Sequence, residues 1–126
     1  MVLNDDRVIV RKLKNRFFIY SSPWPGEFGE NFKSCIRPAP LKQLFFIYHA
    51  KKNIAVRIDP ARAFGLLYPA TFLAFWNKRW LEKTVDFCDE LVNKVPCYHL
   101  GFVNDKRVIE FVRSIDSRFE NERTAL

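Results

Sequence analysis

The chain has 126 residues, enough for one core and few for two, and 48% of them are hydrophobic, including 13 Phe, 3 Trp and 4 Tyr. That composition excludes general disorder, and 21 Lys and Arg against 14 Asp and Glu give a formal charge of +7, which favours anionic partners: nucleotides, phosphoproteins, nucleic acid or an acidic membrane surface. Cys35, Cys88 and Cys97 are odd in number and lack paired spacing, which indicates neither a disulfide framework nor a zinc site and fits a reducing cytoplasm.

Two adjacent acids, Asp5 and Asp6, stand directly ahead of a β-branched run. Residues 7–11 alternate charge with β-branched side chains, and RFFIY (16–20) follows a basic link, predicting a β-hairpin with a basic turn. Pro23, Pro25, Gly26, Gly29, Pro38 and Pro40 punctuate residues 21–40, a long loop that is neither continuous helix nor central strand. LKQLFFIYH (41–49) is apolar on both faces through its middle and reads as a strand inside a sheet. A turn at 51–53 leads to a short strand at 54–58. Asp59 then serves as N-cap and Pro60 as first residue of a short helix that Gly65 would close.

From Thr71 to Lys94 apolar residues recur at three- and four-residue steps, predicting one or two amphipathic helices in which Phe72, Phe75, Trp76 and Trp80 pack in the core. Pro96 ends that segment, residues 97–102 read as a strand, and Asn104 and Asp105 cap a last helix over 105–114. Residues 116–126 read as a polar tail, so the expectation is one α/β domain over 1–115, built on a mixed or largely antiparallel sheet covered by helices. The longest uncharged stretch, residues 63–77, has 15 residues, too few to span a bilayer, and the expected molecule is soluble, without a membrane partner.

The order of four stretches, LNDDRVI (3–9), YSSPWPG (20–26), APLKQLFFI (39–47) and KVPCYHL (94–100), resembles the C-terminal half of the HPr serine kinase and phosphoenolpyruvate carboxykinase-like group of P-loop phosphotransferases, over residues 3 to about 115. The resemblance implies ATP-dependent phosphoryl transfer with Mg2+, a protein serine or small metabolite as acceptor, and Asp5 and Asp6 as metal ligand and base. Phosphoryl transfer needs a hard oxygen ligand and a base near the nucleophile, which two carboxylates can divide. Trp24 would lie in a substrate-facing loop, and Arg37 and Lys42 would meet phosphate oxygens.

The departure is large: no G-x-x-x-x-G-K-[ST] occurs in these 126 residues, so the phosphate cradle would have to come from another segment or a partner subunit. A non-catalytic binding or scaffolding module is the alternative. Nucleic-acid binding is less favoured, because the basic-aromatic interleaving at 7–20 fits a solvated hairpin face, and Trp76 and Trp80 stand four apart as on a core-facing helix. His49 and His99 have no ligand partners at metal spacing, and Cys97 and His99 share a strand face without a third catalytic residue.

Overall fold

A computed structural model describes residues 3–24, 26–27 and 38–124. The protein is mixed α/β, and among the described residues it has two small sheets and three α-helices. Its contacts form two compact units, Met1–Gln43 and Leu44–Leu126.

The first unit holds strands β1 (Val8–Leu13), β2 (Arg16–Ser21) and β3 (Ala39–Pro40), all antiparallel in the order β1-β2-β3. The hairpin is the expected one. Leu13 pairs with Arg16 across a two-residue turn in which Lys14 takes a φ of 56°, the left-handed conformation that tight hairpins use. Phe17 is buried, while Arg11 lies over Tyr20 and Arg16 over Phe18, so the basic side chains cover the apolar faces of their neighbours. Pro40 sits on the outer strand, where its missing N–H costs no interior ladder bond.

The second unit is built on β4 (Leu44–His49), β5 (Ile54–Arg57) and β6 (Cys97–Phe102), with α1 (Pro60–Leu67), a 3-10 turn (Tyr68–Ala70), α2 (Lys78–Lys94) and α3 (Arg107–Thr124). The order is β4-β6-β5, with β4 parallel and β5 antiparallel to the central β6. Residues 41–49 therefore do not form the interior strand that their pattern predicts. β4 is an edge strand, and Ile47 is 65% exposed. Its apolarity on both faces reports packing above and below the sheet: Phe46 joins the core under the helices, and Phe45 stacks on Tyr98.

The core gathers Ile58, Ala63, Val92 and Cys97, with Leu44, Phe46, Phe64 and Leu67 against it. Each fully buried aliphatic side chain of this kind contributes about 1.5–3 kcal/mol. Asp59 caps α1 as expected, its Oδ1 accepting from the Arg62 N–H at 2.9 Å. Gly65 does not close the helix, which runs on to Leu67 before tightening into the 3-10 turn. Asp105 caps α3 by accepting from the Arg107 N–H, and that helix continues past Asp116 to Thr124.

The aromatic stretch ahead of α2 departs most from expectation. Asn77 Oδ1 accepts from the Trp80 N–H at 3.2 Å, so the helix begins at Lys78 and Phe72, Phe75 and Trp76 precede it. These residues are not core: Phe72 is 82%, Phe75 76%, Trp76 86% and Trp80 55% exposed. Farther along α2, Cys88, Leu91 and Val92 supply the buried face. No helix among the described residues is long and apolar enough to cross a membrane.

Candidate functional site

The acid pair lies in a turn shaped by Asn4. Asn4 Oδ1 accepts from the backbone N–H of Asp6 at 2.8 Å and of Arg7 at 3.1 Å, a side-chain mimic of a backbone turn. Its amide nitrogen donates to Ser22 Oγ at 3.2 Å and to the Trp24 carbonyl at 3.3 Å, bridging to the loop that follows β2. Ser22 Oγ donates to the Arg7 carbonyl at 2.7 Å, closing the bridge from the other side. These contacts stand at the end of the hairpin where Val8 pairs with Ser21, so the ladder fixes which loop meets the acid turn.

The two carboxylates have different surroundings. Asp5 Oδ1 accepts from the Gly26 N–H at 2.7 Å, a charge-assisted bond that ties the acid to the Trp24–Gly26 region. A Cβ at position 26 would lie 2.6 Å from Asp5 Oδ2, so only glycine lets this backbone approach the carboxylate so closely. Asp6 is exposed and faces the Arg7 guanidinium at 3.5 Å, an ion pair screened by solvent. The adjacent acids thus point into different company, as successive side chains at a strand end do.

Of the residues singled out in the sequence, Asp5, Asp6 and Trp24 come together in this loop pair, with Trp24 joined through its backbone and 58% exposed as a residue. Lys42 is placed elsewhere in the same unit. The Leu41 N–H donates to the Phe17 carbonyl, about 13 Å along β2 from Ser21, so the register carries Lys42 toward the turn end of the hairpin. Arg37 lies outside the described residues. Asn4, Ser22 and Gly26 hold the turn together and were not read as site residues. An Asn two residues before an exposed acid, at the mouth of a strand, was the available signal for the first of them.

Mg2+ usually takes one or two carboxylates and completes its shell with water and substrate phosphate oxygens. The Asp5 and Asp6 carboxylates are hard oxygen donors of the kind Mg2+ takes. Among the described residues no group of three or more His, Cys, Asp or Glu could hold a metal on its own, so a cation here would depend on a phosphate ligand.

In the second unit, His49 packs on Phe102 and His99 on Tyr48. Cys88 and Cys97 are buried, and burial raises both thiol pKa values; for Cys97 the nearby Arg57 charge opposes that rise. Neither is poised as a nucleophile. An open groove of about 550 Å3 between α1 and α2 presents Phe64, Val85, Asp86, Asp89 and Asn93, and its acids disfavour a phosphate ligand. No protein-family model matches the chain, and neither curated proteins nor solved structures provide a match.

Proposed function

We infer that the chain is the C-terminal part of an HPr kinase-like phosphotransferase domain, acting in the cytoplasm, whose Asp5–Asp6 turn contributes to ATP-dependent phosphoryl transfer once a P-loop is supplied by another segment or a partner subunit. The observation that carries the reading is the Asn4-centred turn: Asp5 is fixed by the Gly26 N–H, and Asp6 is left at the surface beside it. That division suits a pair in which one acid sets the loop and contributes a single oxygen to Mg2+ while the other receives the proton of an attacking hydroxyl. Bound Mg2+ would neutralise phosphate charge; Asp5 would hold it with Asp6 as the base beside it, and Trp24 would border the acceptor. Arg37 and Lys42 enter only as general sources of positive charge for phosphate.

The Asp5–Gly26 bond also favours a second reading, a non-catalytic binding module in which the acids only pin the loop. Titration calorimetry with ATP separates the two. With Mg2+ and a P-loop polypeptide supplied, ATP should bind, and Asp5→Asn, which keeps an acceptor for the Gly26 N–H, should weaken the binding with unchanged far-UV circular dichroism; without Mg2+ the acid pair repels the phosphates and binding should vanish. Equal behaviour of wild type and Asp5→Asn at every Mg2+ concentration, with the P-loop polypeptide present, would leave the loop-pinning role standing and defeat the phosphotransferase reading.

A further inference from the structure

The segment between the 3-10 turn and α2 is held at both ends. Thr71 donates its N–H and its hydroxyl to the Tyr68 carbonyl, and the Asn77 N–H donates to the Ala74 carbonyl at 3.0 Å. The second bond closes a four-residue turn with Phe75 and Trp76 at its two corners, positions that ordinarily carry Gly, Asn, Asp, Ser or Pro. Two large aromatics at a turn corner, 76% and 86% exposed, are the opposite of what a water-facing loop selects. Trp80 continues the apolar surface one helical turn later, with the Lys83 ammonium 4.7 Å from its ring centroid.

The charges around this tip identify what it meets. Residues 71–77 are uncharged, and Lys78, Arg79 and Lys83 follow at once, with Glu82 the only acid through residue 84. We propose that the Phe75–Trp76 turn inserts into the interface of an anionic lipid bilayer, with Trp80 at headgroup level and Lys78, Arg79 and Lys83 on the lipid phosphates and carboxylates, so that the protein binds a membrane surface peripherally. Aromatic side chains prefer that interface, and nearby basic residues add attraction to anionic lipid. This departs from the expectation of no membrane partner and is independent of the acid turn. A two-fold contact with a second copy would bring Lys78 and Arg79 against their own equivalents. Lys78 and Arg79 between Trp76 and Trp80 would suit a nucleic-acid surface, but the five residues from Phe72 to Trp76, which include the most exposed aromatics, carry no charge to meet a phosphate backbone.

The test is sedimentation of the full chain with phosphatidylcholine vesicles, with and without phosphatidylserine, across a salt series. Binding is expected to the phosphatidylserine vesicles, weakening with salt. Phe75→Ala/Trp76→Ala and Lys78→Glu/Arg79→Glu should each weaken partitioning roughly tenfold or more, with unchanged far-UV circular dichroism. Lys14→Glu/Arg16→Glu removes the same charge from the other unit and should change partitioning less than about threefold. No binding to anionic vesicles, equal loss in the Lys14/Arg16 variant, or Phe75- and Trp76-dependent binding only to an oligonucleotide or a second copy would each overturn the proposal.

Discussion

At Gly26 the backbone nitrogen stands 2.7 Å from Asp5 Oδ1, and any Cβ there would press on the same carboxylate. Gly26→Ala should therefore expel Asp5 and lose the bond, lowering stability by about 1 kcal/mol in urea unfolding. Asp5→Asn, which keeps an acceptor oxygen, should cost less. A Gly26→Ala protein as stable as wild type would mean that the contact does not order the loop. Asp105 offers a second check on single-residue electrostatics. Hydrogen bonds from the Arg107 side chain and backbone hold its carboxyl below the ordinary value of 3.8, so its contribution is present above that pH and is lost as pH falls through the lower folded value. The Arg107 amide resonance should titrate with a midpoint below 3.8, and Arg107→Ala should move that midpoint upward.

The helix and hairpin starts show why parts of the fold are legible in sequence. Asp59-Pro60, the Lys14–Asn15 turn and Pro96 before β6 act through their nearest neighbours, and each lies where local rules put it. Three- and four-residue spacing runs on through Trp76 and across Asn77, so it places the start of α2 too early; the Asn77 side chain caps the helix. Spacing alone does not mark an end; a capping residue does. Asn77→Ala should lower stability by about 1 kcal/mol, with Asn77→Asp close to wild type, measured by urea unfolding followed at the helix circular dichroism band. An Asn77→Ala variant indistinguishable from wild type would show that Trp80 packing, not the cap, fixes where α2 begins.

For the whole molecule, strand order is the part that sequence does not carry. β6 enters between β4 and β5 only after α1 and α2 have passed, so the edge position of β4 depends on pairing some fifty residues away in the chain. The close fit of that pairing is visible at Gly101, where a Cβ would lie 2.8 Å from the Tyr48 ring and 3.0 Å from Ala50 Cβ. The acid turn is likewise non-local. Asp5 and Asp6 drew attention through a resemblance, but their setting depends on Asn4 reaching Ser22 and Trp24 across the hairpin. Neither a period nor a propensity marks that contact.

The measurement that most directly tests a phosphotransferase role for this turn is paramagnetic broadening of backbone amide resonances by Mn2+ with ATP. With a P-loop polypeptide supplied, the expected result is selective broadening of residues 4–7 and of Gly26, abolished in Asp5→Asn and absent with Mn2+ alone, because a cation here needs phosphate oxygens to complete its shell. Broadening centred instead on Asp86 and Asp89 in the α1–α2 groove, or unchanged in Asp5→Asn, would contradict it.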